Sequence, residues 1–271
     1  MDIPFDIYSW IDSFNASPYY QGKLLSIANW LEKLLIHNKT NICTKSIFVE
    51  IPRYIPKRLR VPNMKDLSLD EYVHIAKEAA LINPDYIVNQ LTLTIENGKI
   101  IENPILELNP LLAKDIKNCP QPIILIYVGI LRVKGLKVRS SHGNALIIDK
   151  TNRTYELFDP YGKTTPEIDA WFNEEFREAA NLENYTYLPP LELCPKSGPQ
   201  YLAEKDSLSR NEKGFCMTYT FMYIHMRTAN PGIDPRKIVE ILLDKTPKEL
   251  RRYAILYNNI LNTHYGWPFR D

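Results

Sequence analysis

Paired cysteines are the first thing this 271-residue chain lacks. Its four cysteines, Cys43, Cys119, Cys194 and Cys216, show neither a CxxC pair nor zinc-ligand spacing. Free thiols in a reducing compartment are therefore expected, with no metal or other cofactor implied. An excess of either charge is missing too. The 33 Lys and Arg against 32 Asp and Glu leave a net charge of +1, which gives a nucleic-acid-coating role no support. The longest apolar run, Pro122 to Leu131, is well short of the roughly 20 residues a membrane-spanning helix needs. Internal repeats and low-complexity tracts are absent, and Met1 to Asp6 has neither the basic start nor the apolar core of a signal peptide. These absences lead to the expectation of a soluble, cytoplasmic-type protein without a membrane partner. What remains, 45 % hydrophobic and 24 % charged residues, suffices for one large or two small globular domains.

Read along the chain, residues 18–37 have the spacing of an amphipathic helix, with Leu24, Leu25, Ile27, Ala28, Leu31, Leu34 and Leu35 on one face and Ser17 as its cap. Lys45 to Arg60, rich in proline and basic residues, reads as a solvated connector. Ser68-Leu69-Asp70-Glu71 is a capping box that opens a helix ending near Leu81, and Asn97-Gly98 predicts a hairpin over Gln90 to Ile101. Residues 1–115 are thus expected to form a mainly helical accessory region with a hairpin. The character then changes. Ile123 to Val128 reads as a strand buried on both faces, and His142–Asp149 and Thr154–Asp159 as two more, joined by a polar turn at Lys150–Arg153. A helix starts at Pro166, a short strand runs from Tyr185 to Leu193, and an aperiodic loop covers Pro195 to Lys213. Cys216 opens a further helix. Asp234-Pro235 and the capping box from Thr246 to Glu249 begin the last two. Residues 116–271 are therefore expected to be an α+β core, a small central mixed or antiparallel sheet flanked by helices.

The chemistry gathers in that second part. Gly214-Phe215-Cys216 places a thiol on the first turn of an apolar helix, where unpaired N–H groups and the positive end of the helix dipole stabilise a thiolate. If the strands 142–149 and 154–159 form a hairpin, the entry of one lies beside the exit of the other, which brings His142 to Asp159. A thiol, an imidazole and a carboxylate to orient it are what acyl transfer requires. Each also has a plain alternative, since a lone buried cysteine is usually a small core residue and a lone histidine a packing residue. Glu156 is the other candidate orienter, but it lies on the strand face of Phe158. His225 falls on the helix face opposite Cys216, and Cys194 lacks a helix N-terminus. No role is assigned to His37, His74 or His264.

Taken together, His142, Phe158-Asp159-Pro160, Gln200 and Gly214-Phe215-Cys216 resemble the cysteine-protease clan of the SUMO and ubiquitin-like-protein proteases and the adenovirus protease. The finer pattern looks like that of uncharacterised proteins of large DNA viruses: Ser-His-Gly-Asn-Ala-Leu-Ile-Ile-Asp, Glu-Leu-Phe-Asp-Pro-Tyr-Gly, Cys-Pro-Lys-Ser-Gly-Pro-Gln and Gly-Phe-Cys, then Tyr223 and Arg227-Thr228-Ala229-Asn230-Pro231. The resemblance covers roughly residues 120–260. It implies a papain-like fold of the ubiquitin-like-protease type, Cys216 as nucleophile, His142 as base, Asp159 as its orienter and the Gln200 amide as oxyanion donor. It also implies a protein substrate, either a ubiquitin-like modifier or a polyprotein cleaved after glycine, and a setting in host cytoplasm or virion. Two features depart from the clan. Gly143 stands where an aromatic usually follows the histidine, and Gln200 lies farther before the cysteine than usual, so that Tyr201 to Lys213 must fold out, with Asn211 as the substitute donor. Some clan members instead use the thioester to acetylate host proteins. That reading needs basic pockets for acetyl-coenzyme A and an inositol polyphosphate, for which Lys45 to Arg60 or Arg251-Arg252 are the candidates. A catalytically silent binding module is the third reading.

Overall fold

The computed structural model describes residues 3–16, 18–19, 42–52, 89–92, 95–96, 99–100, 114, 116–134, 137–164, 166–206 and 215–264. Strands β1 (Ile42–Pro52), β2 (Asn89–Thr92), β5 (Ile123–Lys134), β6 (Lys137–Asp149), β7 (Thr154–Phe158) and β8 (Thr186–Leu188) form one mixed sheet in the order β2-β1-β5-β6-β7-β8. β1 runs parallel to both β2 and β5, β5-β6-β7 form an antiparallel meander, and β8 adds to β7 in parallel. β3 (Ile95–Glu96) and β4 (Lys99–Ile100) pair separately across two positions, the spacing of a two-residue turn, with residues 97–98 themselves outside the described ones.

The alternation of side chains along the meander sorts them into two apolar layers. Ile123, Leu125, Ala145, Ile147 and Phe158 face one layer, and Ile124, Ile126, Leu146, Ile148, Tyr155 and Leu157 the other. On the first face pack α1 (Ile7–Asp12) and the three helices α6 (Cys216–Ala229), α7 (Pro235–Leu243) and α8 (Pro247–His264). The second face is covered by α2 (Pro166–Asn173) and α3 (Glu175–Ala179), through Ile168, Trp171, Phe172 and Phe176. The class is therefore α+β, with a mixed sheet flanked by helices. The helix starts follow their local signals. Asp234 caps α7 by accepting from Arg236 N. At α8 the capping box is reciprocal: Glu249 N donates to Thr246 Oγ1 at 3.3 Å, and Thr246 N to Glu249 Oε2 at 2.9 Å.

Several expectations are corrected. The connector proposed from Lys45 is the strand β1 as far as Pro52, paired with β5 along its whole length from Ile42↔Ile123 to Pro52↔Val133. Its strand-favouring residues Ile47, Phe48, Val49 and Ile51 outweigh the nearby basic residues once a partner strand is present. The 115/116 boundary consequently falls within one sheet. α1 also belongs to the main core, since Ile7, Tyr8 and Ile11 are buried and the Asn230 side chain clamps the Phe5 backbone, accepting from its N at 2.9 Å and donating to its O at 2.8 Å. The expected hairpin over 90–101 splits, because β2 leaves it to pair with β1. The strand expected over 185–193 ends at Leu188, where Pro189-Pro190 cannot donate to a ladder, and α4 (Pro190–Leu193) takes over. Cys119 is disulfide-bonded, against the expectation of free thiols, whereas Cys194 and Cys216 are free. Of the helix expected over 18–37 only residues 18–19 are described, and they form a bend, while the helix expected over 68–81 lies outside the described residues. Among the described residues, no helix is long and apolar enough to cross a membrane.

Candidate active site

β6 outruns β7: the ladder between them ends at Ala145↔Phe158. His142 lies inside β6, opposite Ile130 of β5, rather than at a strand start as expected, but on the stretch that β7 has left uncovered. Asp159 is the next residue after β7. The antiparallel register therefore delivers the two side chains to one place, with His142 Nε2 3.0 Å from Asp159 Oδ2. Asp159 is 2 % exposed, and its other oxygen accepts from Tyr161 N at 2.7 Å, which fixes the carboxylate toward the imidazole.

Cys216 is the first residue of α6, and Phe215 before it supplies no side-chain cap, so the first-turn N–H groups remain for the thiol. The sulfur is hydrogen-bonded to His142 and accepts from the backbone N–H groups of Gly143 and Met217. With Nε2 on Asp159, the bond to Cys216 falls to Nδ1 of the ring. Burial alone would push His142 down, but its hydrogen bonds to Asp159 and Cys216 and the charges of both push it up to about 10. Burial alone would push Cys216 up, but the bond to His142, its charge and the two N–H donors hold the thiol below its ordinary value. The two opposite shifts favour one ion pair, thiolate with imidazolium, and the titration belongs to the pair.

Two glycines bring the remaining loops to this site. Gly162 has φ +84°, and a Cβ there would stand 2.4 Å from Gly198 N; a Cβ on Gly198 would stand 2.2 Å from Pro160 O. Their absence lets Gly198 N donate to Tyr161 O and Gln200 N to Pro160 O, both at 2.9 Å. Gly162→Ala combines left-handed strain with a backbone clash. It is expected to cost at least about 2 kcal/mol in urea denaturation and to displace Gln200, whereas Gly232→Ala, with nothing within 4 Å, costs under about 1 kcal/mol.

Gln200, on α5 (Pro199–Ala203), is buried, and its side-chain bonds run to Tyr161 and Glu204 rather than to His142, Asp159 or Cys216. Its Nε2 donates to Tyr161 Oη at 3.1 Å and to Glu204 Oε1 at 3.0 Å, while its Oε1 is buried without a partner. Tyr161 links this network to the triad, its ring centroid 5.2 Å from that of His142 and its hydroxyl donating to Glu204 at 2.9 Å. Tyr161, Glu204 and Thr220 were not singled out from the sequence, and Gly143 only as a departure from the clan. Tyr161 alone had a signal, its place in Asp159-Pro160-Tyr161-Gly162. Asn211 lies outside the described residues, as do His37 and His74.

The rival residues are occupied elsewhere. Glu156 bonds Tyr223 and Arg227 on α6. His225 is buried and stacked on Phe5 at 4.6 Å, and burial pushes it down to about 3, so it stays neutral. Burial and the Asp159 charge push the Cys194 thiol up to about 12, which leaves it inert. No protein-family model, curated protein or solved structure matches this chain.

Proposed function

We propose that this protein is a cysteine hydrolase working through Cys216, His142 and Asp159. The observation that carries the reading is His142 bonded at once to Asp159 and to a Cys216 thiol on the first turn of a 14-residue helix. The Cys216 thiolate attacks a carbonyl carbon, and the C=O electrons move onto oxygen. Collapse expels the amine, which takes its proton from His142, and leaves a thioester. Water, deprotonated by His142, then adds to the thioester and releases the acid and the thiolate.

Within that class, the reading is a protease of the ubiquitin-like-protease type. It cleaves after a glycine-type C-terminus, either to remove a ubiquitin-like modifier or to process a viral polyprotein. A nucleophile at a helix N-terminus, packed on a mixed sheet that carries base and orienter, supports the papain-like assignment. The glycine preference, and a host-cytoplasm or virion setting, rest on the resemblance of the quoted motifs. Mixing the full chain with ubiquitin, SUMO and related modifiers bearing a C-terminal thiol-reactive warhead is expected to give an adduct with one of them, lost in Cys216→Ala. An alkylatable Cys216 that captures no modifier would redirect the substrate to a polyprotein or an acetyl donor. A Cys216 inert even to iodoacetamide would remove the enzymatic reading.

A further inference from the structure

The edge of β6 that β7 leaves uncovered is taken by the start of α6, and Gly143 is the point of contact. A strand residue's N–H and C=O point to the same side. Here the Gly143 carbonyl accepts from Thr220 Oγ1 at 2.9 Å, so its N–H also faces α6, where Cys216 lies one turn before Thr220, and the Gly143 backbone is among the groups that hold the Cys216 thiol down. Cys216 and Thr220 are four residues apart on α6, hence neighbours on one face, and they meet the two backbone groups of one residue, Gly143. Gly143 is opposed across the ladder by Gly129, so this rung carries no side chain on either strand and the helix end can approach the backbone. Thr220 is fully buried, which holds the arrangement without competition from water.

From this geometry we propose that the Gly143 N–H is a catalytic donor for the charge that starts on Cys216 and passes to the substrate oxygen, and that Thr220 is its positioning residue. The inference rests on the hydrolase reading above. In the resting enzyme the N–H stabilises the thiolate. When sulfur bonds to the carbonyl carbon, the negative charge moves onto the adjacent oxygen, and a donor already aimed at sulfur from a second element follows it with little reorganisation. Gln200 is poorly placed to do this alone, because both N–H groups of its amide already donate to Tyr161 and Glu204. Breaking its bond to the Glu204 carboxylate would be part of any such role.

The test uses the full chain with three changes: an amide-to-ester replacement at Gly143, which removes its N–H and leaves its own carbonyl for Thr220, Thr220→Val and Thr220→Ser. Two quantities are read: the pH midpoint of Cys216 alkylation by iodoacetamide, and the affinity for a peptide aldehyde ending in glycinal, whose hemithioacetal imitates the tetrahedral intermediate. The ester is expected to raise the midpoint toward an ordinary thiol and to weaken the aldehyde about 100-fold. Thr220→Val moves both the same way, the aldehyde by about tenfold, and Thr220→Ser restores both. Wild-type values in the ester protein overturn the inference, and wild-type values in Thr220→Val overturn the role of Thr220. A wild-type protein with a depressed midpoint that binds no aldehyde and captures no modifier defeats the hydrolase reading. It overturns the oxyanion role with it, and the ester's midpoint then decides the thiolate role by itself.

Discussion

Replacing Cys216 by alanine is expected to lower hydrolysis by at least about 10,000-fold and to leave the fold intact, as circular dichroism would show. The residue is small and buried, and its removal costs one methylene-sized contact at a helix start, whereas the chemistry loses its only covalent handle. His142→Ala is expected to act almost as strongly, and the double variant to be no worse than Cys216→Ala, because the two groups work as one unit. The reason lies in burial. Without the imidazolium, only the Gly143 and Met217 backbone groups oppose the desolvation that drives the Cys216 thiol up, so alkylation near neutral pH falls together with hydrolysis. Asp159→Asn keeps the packing but loses the charge that orients and stabilises the imidazolium. A loss between about 100- and 10,000-fold is expected. The pH profile has a definite sign. Activity appears as pH rises through the depressed Cys216 value, where the thiolate forms, and disappears near about 10, where His142 gives up its proton. A wild-type profile that rises only in the ordinary thiol range would contradict the ion pair.

Arg227→Met is expected to destabilise the protein by about 3–5 kcal/mol, a large part of the roughly 5–15 kcal/mol that holds a folded chain. Arg227 and Glu156 are 1 % and 0 % exposed, and their contact is Nε to Oε1 at 2.8 Å and Nη2 to Oε2 at 3.2 Å. Arg227 also reaches Asp149 Oδ2 at 3.4 Å, and Tyr223 donates to Glu156 at 2.6 Å. Burial pushes the Glu156 carboxyl up even against the pull of Arg227 and Tyr223, so a carboxylate stripped of Arg227 has no means of staying charged in the core. Asp149 keeps Thr151 N and the backbone and side chain of Asn152 as donors and is less dependent on the pair. Urea denaturation measures the loss. Arg227→Met combined with Glu156→Gln should recover at least half of it, since the amide can still accept from Tyr223 and carries no charge. A single-variant loss under about 1 kcal/mol would show that the pair contributes little. The network also bears on catalysis. With the Phe158–Tyr223 stack at 4.1 Å, it fastens α6, which carries Cys216, to β7, which leads into Asp159. Hydrolysis should therefore fall in Arg227→Met even where the chain remains folded.

Much of this was legible in the chain itself. The polar turn Lys150–Arg153 between two apolar runs set the β6–β7 hairpin, and the hairpin's antiparallel register brought His142 to Asp159. Asp234, Thr246 and Glu249 marked helix starts, because caps depend on residues one to three positions away. The 3.6-residue periodicity excluded His225 as a partner for Cys216. Such features are local, and local chemistry is written in local sequence. What the chain did not reveal is long-range. Nothing in residues 42–52 announces a partner strand that lies beyond residue 120, and the basic residues nearby suggested solvent instead. The Glu156–Arg227 pair joins positions far apart, as does the approach of Gly162 to Gly198. The donors around Cys216 depend on where β7 stops and how closely α6 can then dock on Gly143. By itself the sequence determined which residues can do chemistry and which elements carry them. The tertiary structure decided which of them meet, because pairing and burial reward contacts between distant segments that no local pattern encodes.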